Sequence, residues 1–566
     1  MKTVAKYLKP HIIIVIACLL FKVIAAVADL MIPRMLAVII DEDIPTGDIG
    51  RVYSSGAVML AFAVMALVFN IVGNRLSARA VARVTKDMRH DLFISTVGLD
   101  SAATDKIGLS SLTSRLTSDT YNVSVFLGRL TRMGLRAPMI LIGGIVITFT
   151  LDWRLALIFL LVLPLVFCTV YFITKRSIPI YKKEQETLDS IVRRVDETSS
   201  GIRVIKALSK VDYEKTRFDT ASKKLANEEI KAGRLTSLTT PINDLIFYFG
   251  FCLVVTVGAL IASGGGEEMS GKLLAFMTYF TMVLNGMIAM SRIFVQMSRA
   301  AASAVRIEEV LLTKSEMPTT DLPKTEGEPY VVFENVSFSY GGRVNNLKSL
   351  SFTLDRGETL GIIGGTGSGK STVIKLLMRL YDVGSGSIRI GGRDVRSIPK
   401  EELYGLFGVA YQNDFIPKGS VGQNIDFYRG LSEGELVTAS EIAQAAEFIA
   451  SLEGGMQYEV ATRGANLSGG QKQRLLVSRA VAGSPEILIL DDSSSALDYK
   501  TDKQLRSAIK NSVDTTTVIV SQRVASVRNA DKIIVLDDGW VLGIGTHDEL
   551  MRDVPEYREI AEVQMA

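Results

Sequence analysis

The sequence predicts a multidomain chain in which a six-helix, all-α transmembrane domain precedes an α/β domain of the P-loop type. Three observations support this prediction. Of the 566 residues, 48% are hydrophobic, and the mean hydropathy of +0.27 is high for a chain that faces only water. The long apolar runs all lie before about residue 300. Beyond residue 330, short apolar runs alternate with glycine and charge, and one glycine-rich loop joins a strand pattern to a helix pattern.

Six apolar runs are long enough to cross a bilayer, which takes roughly 20 residues. They cover residues 11–32, 52–72, 135–151, 154–173, 242–262 and 272–294. The long connections after the second and fourth runs are strongly basic, whereas the short ones carry Asp41, Glu42, Asp43, Glu267 and Glu268. The positive-inside rule therefore places the basic connections and both termini in the cytoplasm.

A polar stretch with three prolines separates the two halves. It predicts a transmembrane domain at residues 1–312, a linker at 313–329 and the α/β domain at 330–566. The net charge of +3 gives no indication of nucleic acid as a partner. The three cysteines lie in apolar stretches, and their number and spacing predict neither a disulfide framework nor a zinc site.

Polar residues within the apolar runs are costly and often functional. Lys22 and Asp29 share one helix face, and a second face carries Asn285, Arg292, Gln296 and Arg299. These faces line a translocation path, or they pack between helices with the end cations reaching water. The cluster at residues 41–43 is either an outer gate or a solvated acidic loop.

The glycine-rich loop is a P-loop in its required strand–loop–helix context. Its backbone N–H groups turn inward around phosphates, and the following helix adds a favourable dipole. Lys370 reaches the β- and γ-phosphates, and the Ser371 hydroxyl ligates Mg²⁺. The candidate ATP-binding residues here are Gly364, Thr366, Gly367, Ser368, Gly369, Lys370, Ser371 and Thr372. A second apolar strand pattern, residues 487–490, ends in Asp491, which fits a carboxylate delivered to the Mg²⁺ shell.

The stretch Leu467, Ser468, Gly469, Gly470 and Gln471 resembles the signature motif of the ABC transporter family, and the resemblance extends over the whole chain. It implies that Tyr340 stacks on adenine and that Gln412 contacts Mg²⁺ and couples to the membrane domain. Asp498 resembles the D-loop aspartate. The family arrangement implies an exporter half-transporter that uses ATP and Mg²⁺, with the signature of one half closing over the ATP of the other. It also implies coupling helices near residues 109–116 and 210–217.

Two positions depart from the family pattern. The residue after Asp491 is usually a glutamate that positions the attacking water, and here it is Asp492, which is one methylene shorter. The switch histidine is replaced by Gln522, which cannot carry positive charge or shuttle a proton. These substitutions predict a degenerate site that binds ATP and hydrolyses it slowly, with Asp492, Gln522, Gln412 and Lys370 as its catalytic set. The alternative interpretation is that both substitutions are tolerated and that the site still hydrolyses ATP.

Because a homodimer would contain two slow sites, the sequence predicts a heterodimer with a second half-transporter that supplies the glutamate and the histidine. The predicted function is export of an amphipathic drug-like, lipid or peptide substrate, with multidrug export as the family label. The alternative is a nucleotide-gated regulatory or channel-like subunit. Membrane lipid is a further expected partner, and a bacterial cytoplasmic membrane is the expected location, with the ATP-binding domain cytoplasmic.

Overall fold

Long helices and a mixed α/β region form two separate units in the computed structural model of the chain. The structure describes residues 1–263, 270–313, 317–340, 342, 345–412, 415–493 and 495–565. The first unit comprises residues 1–97 and 110–312, and the second comprises 98–109 and 313–566. Glu267, Glu268 and residues 314–316 of the expected linker lie outside the described residues.

The first unit consists of helices joined by short turns in its described part. Its helices, labelled in chain order with α4 belonging to the second unit, are α1 (Lys2–Leu8), α2 (Ile12–Val38), α3 (Ile49–Val97), α5 (Leu109–Ser114), α6 (Thr120–Met133), α7 (Arg136–Leu151), α8 (Trp153–Ser200), α9 (Ile202–Ala207), α10 (Val211–Ser237), α11 (Thr239–Ser263) and α12 (Ser270–Leu312). Within the described ranges, six helical stretches are long and apolar enough to cross a membrane. Five predicted runs fall within these stretches, and the run at 242–262 extends one residue beyond its own, so the predicted six-helix architecture is confirmed.

Most of the spanning helices continue well beyond the apolar runs, and α3 and α8 extend to 49 and 48 residues. Only helices and closed barrels satisfy every backbone group in lipid, which explains the absence of strands from the described part of this unit. The acidic cluster at residues 41–43 has a local role that was not expected. Asp41 accepts hydrogen bonds from the backbone N–H groups of Gly271 (2.6 Å) and Lys272 (2.7 Å), and so caps the start of α12.

Two short helices lie within the long polar connections, just before the ranges in which the resemblance implied coupling helices. The first, α4 (Ser101–Ile107), precedes the expected range of 109–116, in which α5 already begins the third span. Asp100 caps α4 by accepting from the N–H of Ala103 (2.7 Å). The second, α9 (Ile202–Ala207), precedes the expected range of 210–217, which forms the first turns of α10.

The second unit contains the described strands of the chain. They are β1 (Val331–Phe338), β2 (Leu347–Leu354), β3 (Thr359–Gly364), β4 (Ser385–Ile390), β5 (Arg393–Asp394), β6 (Phe407–Ala410), β7 (Gly419–Ser420), β8 (Glu459–Val460), β9 (Ile487–Asp491), β10 (Thr516–Ser521), β11 (Lys532–Asp537) and β12 (Trp540–Gly545). The helices are α4, α13 (Lys370–Leu377), α14 (Lys400–Gly405), α15 (Val421–Asp426), α16 (Glu433–Ile442), α17 (Ala446–Ser451), α18 (Gly469–Val481), α19 (Tyr499–Ser512), α20 (Val524–Val527), α21 (His547–Asp553) and α22 (Pro555–Met565).

A central sheet in the order β12-β11-β3-β10-β9-β6 positions the nucleotide motifs. Strands β11, β3, β10, β9 and β6 are parallel, and only β12 pairs antiparallel. Asp491 pairs in register with Val520, and Ser521 pairs with Ile363. The carboxyl ends of β3, β9 and β10 therefore meet at one edge, where ligands bind in open α/β sheets.

The signature motif and the P-loop helix belong to different hydrophobic cores. Val373, Ile374 and Leu377 of α13 pack in the core that the β1–β2–β4 sheet shares with the central sheet. Leu467 packs instead with α15, α16 and α18 in a second core. The two motifs are thus carried by separate parts of the second unit.

Candidate nucleotide site

The P-loop has the form of a phosphate cradle. The Nζ of Lys370 donates to the carbonyl oxygens of Gly364 (2.9 Å) and Gly365 (2.6 Å), so the ammonium lies within the loop. A Cβ on Gly364 would lie 2.1 Å from the carbonyl oxygen of Leu536, which explains the glycine there. Gly369 has φ = +105°, a backbone conformation that glycine adopts readily because it has no Cβ.

A buried hydroxyl in the loop lacks a partner. Ser368 is 3% exposed, and its Oγ forms no hydrogen bond with any described residue. Because an unsatisfied buried hydroxyl costs about 1–3 kcal/mol, a phosphate oxygen in the cradle would relieve it. The loop residues therefore fit a nucleoside triphosphate. Burial lowers the pKa of Lys370, whereas the negative charges of the nearby Asp491 and Asp492 raise it.

The carboxylate of the expected metal shell lies beside the P-loop helix. Burial raises the pKa of Asp491, a hydrogen bond with the Ser371 side chain lowers it, and the adjacent Asp492 raises it further. A hydroxyl and a carboxylate that already contact each other at a strand terminus form a hard-oxygen pair of the kind that Mg²⁺ prefers. Asp491 and Ser371 would therefore hold Mg²⁺, which supplies charge neutralisation for the β- and γ-phosphates.

Asp492 is held in place from two sides. Its backbone has φ = +48°, and its N–H donates to the Val520 carbonyl (2.9 Å). Its Oδ2 accepts a hydrogen bond from Nε2 of Gln412 (2.9 Å), so the structure brings two residues of the predicted catalytic set together. Burial raises the pKa of Asp492, whereas Arg523 and Lys370 lower it.

Gln522 is exposed and follows β10 directly. Its backbone carbonyl accepts a hydrogen bond from Nε2 of Gln564 (2.8 Å), and Oε1 of the same amide accepts from the N–H of Val524 (2.8 Å). A single side chain of α22 thus holds both sides of the loop that carries Gln522. Sequence reasoning missed Gln564, because no local motif marks a contact across 40 residues.

The adenine end is an aromatic cluster around Tyr340. The Tyr340 hydroxyl lies 3.3 Å from Oγ1 of Thr372 on the P-loop helix, and Nζ of Lys375 lies 5.2 Å from the ring centroid. The ring packs edge-on against Phe338 and Tyr381, at centroid distances of 4.8 and 5.1 Å. The predicted adenine-stacking residue is therefore adjacent to the phosphate loop.

Tyr381 extends this cluster to α4. Its hydroxyl donates to Oδ2 of Asp105 (2.5 Å), and burial, reinforced by Asp105, raises the tyrosine pKa. The sequence pattern did not single out either residue, since their separation of 276 residues is invisible to local reasoning. Within the second unit, the aromatic cluster is thus linked to the segment at residues 98–109.

The signature motif begins α18 through a capping box. The N–H of Gln471 donates to Oγ of Ser468 (3.3 Å), and the N–H of Ser468 donates to Oε1 of Gln471 (2.9 Å). Gly469 and Gly470 form the first turn, where a Cβ would lie 3.4 and 3.2 Å from Ala496. The motif therefore offers a preorganised helix N-terminus, as expected for an anion site.

The D-loop is connected to both neighbouring motifs. Gln473 of α18 accepts from the N–H of Ala496 (2.8 Å) and donates to Oγ of Ser495 (2.9 Å). Arg523, beside Gln522, donates to the Ser495 carbonyl (3.0 Å). Asp498, expected to face the partner's nucleotide, caps α19 by accepting from the N–H of Thr501 (2.9 Å).

The polar residues of the first unit separate into packing contacts and a cavity. Lys22 is 2% exposed and donates to Asn70 and Asn74 (2.7 Å to the latter), which favours the packing interpretation. Asp29 instead pairs with Arg136 (2.6 Å). Both line a cavity of about 450 Å³ together with Asn285.

The face predicted around Asn285 is not uniform. Gln296 is buried, whereas Arg292 and Arg299 are exposed. Of the four residues, only Asn285 lines this cavity.

Comparison with known proteins agrees with the geometry of both units. Residues 15–287 match the family model of the ABC transporter transmembrane region, and residues 347–495 match the family model described as ABC transporter. The chain belongs to the ABC transporter family and is an exporter half-transporter, with one membrane domain and one ATPase domain.

Several relatives align over nearly the whole chain. An uncharacterised ABC transporter ATP-binding protein of Mycobacterium bovis is 32% identical over 99% of this chain and 97% of its own. YfiB of Bacillus subtilis, also uncharacterised, is 30% identical over 100% and 98%. An ATP-dependent lipid A-core flippase of Methylobacillus flagellatus is 28% identical over 83% and 80%.

A solved structure shares the fold. The ATP-bound structure of a bacterial Atm1-family ABC exporter has a TM-score of 0.81 and 23% identity, and each chain is covered to 99%. This likeness confirms the predicted fold class. The use of ATP and Mg²⁺ follows from the family, while the roles assigned to individual site residues remain predictions.

Proposed function

We propose that this chain is the slow-site half of a heterodimeric ABC exporter. The observation that carries the proposal is the pair Asp492 and Gln522, at the positions that resemble those of the family's glutamate and histidine. The side chain of Asp492 is one methylene shorter than glutamate, and its Oδ2 is bonded to Gln412. A misplacement of about 1 Å in a catalytic group can cost 100-fold in rate.

The replacement at Gln522 acts on the same nucleotide. A glutamine amide donates a hydrogen bond but cannot carry charge at the γ-phosphate. The P-loop, Tyr340 and Asp491 retain the features needed to hold ATP and Mg²⁺. Binding without efficient hydrolysis is the combination that these residues support.

The signature motif of this chain supports a productive role in the opposite site. Its capping box fixes Ser468 and Gln471 at the start of α18, and this preorganised helix N-terminus, with Gly470 in its first turn, would face a γ-phosphate bound on a partner chain. The partner would contribute the glutamate and the histidine that this chain lacks. One slow and one active site would then share a dimer.

The substrate is proposed to be amphipathic and small. The cavity at Asp29, Arg136 and Asn285 is lined mainly by apolar side chains around one ion pair, which suits a drug-like, lipid or peptide molecule with a polar group. The lipid A-core flippase among the relatives points in the same direction. The basic long connections favour a cytoplasmic ATPase domain, and a bacterial cytoplasmic membrane is the proposed location.

The test is to purify the chain from its native membrane and, separately, alone in lipid. A 1:1 complex with a different half-transporter, and negligible ATPase from the lone chain, are expected. A stable homodimer with turnover on the order of 1–10³ s⁻¹ would contradict the proposal. If substrate failed to stimulate the ATPase of the complex, the regulatory or channel-like alternative would be favoured.

A further inference from the structure

A groove on the second unit lies apart from the nucleotide motifs. Helix α19 forms one wall, and the segment from α20 to Ala530 forms the other. Thr359, Leu490, Thr517 and Ile519 of strands β3, β9 and β10 contribute its floor. The cavity encloses about 770 Å³, within the range of roughly 300–1,000 Å³ that small-molecule sites occupy.

The walls of the groove carry positive charge. Lys503 and Lys510 are seven residues apart on α19 and so share one helix face, and Arg528 lies on the opposite wall. None of these three forms an ion pair with a described residue. Arg506 also lines the groove, but Asp502 neutralises it at 2.6 Å. None of the described lining residues is acidic.

A buried hydroxyl in the wall has no partner. Ser526 is 3% exposed and lines the groove, and its Oγ forms no hydrogen bond with any residue that the structure describes. Asn529 and the two floor threonines supply further donors nearby. A ligand that accepts several hydrogen bonds would satisfy this serine and the cations together.

We propose that the groove binds a small organic phosphate, with its phosphate oxygens between Lys510 and Arg528 and within reach of Ser526. A phosphate suits the site because its oxygens accept from cations on both walls at once, whereas a single carboxylate offers two oxygens in one plane. The aromatic ring of Tyr499 at the lining offers a surface for a base or sugar.

The groove also contacts the loop that carries Gln522. Gln564 lines the groove and, through its amide, holds Gln522 and Val524. An occupant of the groove would therefore adjoin the residue that positions this loop. The proposal concerns binding and does not depend on whether the chain's own site is slow.

The experiment uses the full-length chain in detergent with inorganic pyrophosphate as the probe, in a Lys370→Ala background that weakens the P-loop. Calorimetry should detect binding. Lys510→Ala and Arg528→Ala should each weaken it about tenfold, as expected when one charge-assisted contact is lost. Lys500→Ala is the matched control, because Lys500 is exposed on the same helix but does not line the groove, and it should leave affinity unchanged.

Three outcomes would overturn the proposal: no binding in the Lys370→Ala chain, equal weakening by Lys500→Ala, or no weakening by either groove variant. Lys510→Arg should retain binding, which separates charge loss from misfolding, and unchanged thermal midpoints would confirm that the variants fold. ADP is the second probe. If Tyr499→Ala weakens ADP binding but leaves pyrophosphate binding unaffected, the ligand of the groove is a nucleotide. If Tyr499→Ala leaves ADP affinity unchanged, the ligand is a simpler phosphate.

Discussion

At the scale of single residues, the proposed slow ATPase site depends on the length of one side chain, that of Asp492. Asp492→Glu adds one methylene and moves the carboxylate toward the position that resembles the family's glutamate. We expect ATP hydrolysis by this chain's own site to rise by about 10- to 100-fold. Single-turnover ATP hydrolysis in the complex, with the partner's P-loop lysine replaced by alanine, measures the rate of this chain's own site. Asp492→Asn is the control, because it changes the side chain without lengthening it.

An unchanged rate in Asp492→Glu would instead assign the slowness to Gln522. The double variant Asp492→Glu with Gln522→His distinguishes these cases, since it restores both features together. A double variant as slow as the wild type would contradict the degenerate-site proposal.

A second prediction at the residue scale concerns Asp491 and pH. Burial raises the folded-state pKa of Asp491 above the ordinary aspartate value near 3.9, so the folded state binds more protons than the unfolded state between those two values. This residue therefore lowers the stability of the nucleotide-free protein as pH rises through that window. We expect Asp491→Asn to be more stable than wild type at neutral pH, with the difference vanishing near pH 3.

Thermal unfolding of both proteins without nucleotide, across pH 3 to 8, measures the difference. Ser371→Ala is the matched control. It removes the hydroxyl that lowers the pKa of Asp491, so it should enlarge the effect of pH. A constant difference between wild type and Asp491→Asn across the range would show that this carboxylate is not perturbed.

At the scale of elements, α22 fixes the loop after β10. Removing the amide in Gln564→Ala leaves the Val524 N–H without its acceptor, so hydrogen exchange at this loop should accelerate, and stability should fall by about 1 kcal/mol. Gln564→Glu keeps the acceptor for Val524 but loses the donor to Gln522, so it should release only one side of the loop. Equal exchange in all three proteins would contradict this role.

Two spanning helices are joined by a charge pair, and the pair predicts a coupled response to mutation. Asp29 of α2 and Arg136 of α7 are both about one-fifth exposed. Asp29→Asn or Arg136→Gln alone should destabilise the protein by about 1–3 kcal/mol, because each leaves a partly buried charge unpaired. The double variant should recover part of that loss, and thermal unfolding of all four proteins closes the cycle.

At the scale of the whole molecule, local patterns predicted the spans and the P-loop but not the connections between distant segments. Apolar length alone marks a span, and the strand–loop–helix context marks the phosphate cradle around Lys370. Gln564, Asp105 and Gln473 carry no local pattern, because their roles depend on which distant segments become neighbours in the folded chain. The position of α4 was likewise not predicted, because its N-cap, Asp100, is an ordinary helix cap that apolar periodicity does not reveal.

The link between Tyr381 and Asp105 gives a prediction at this scale. Tyr381→Phe removes the hydroxyl that donates a hydrogen bond to Asp105 but keeps the aromatic ring beside Tyr340. We therefore expect ATP affinity to change less than twofold, while the second unit loses about 1 kcal/mol of stability. Tyr381→Ala, which also removes the ring, should weaken ATP binding. Equal effects of the two variants on affinity would contradict the separation.

Residues 98–109 belong to the second unit, although roughly 200 residues of the chain separate them from residues 313–566, which form the remainder of that unit. At about 5–20 residues per second, the ribosome would complete Asp105 some 10–40 s before the chain reaches residue 313. The hydroxyl of Tyr381 does not yet exist during that interval. Biogenesis of the ATPase unit therefore includes a waiting period in which an early segment stays available for a domain still to be made, and a fragment expressed from residue 313 onward would lack that segment permanently.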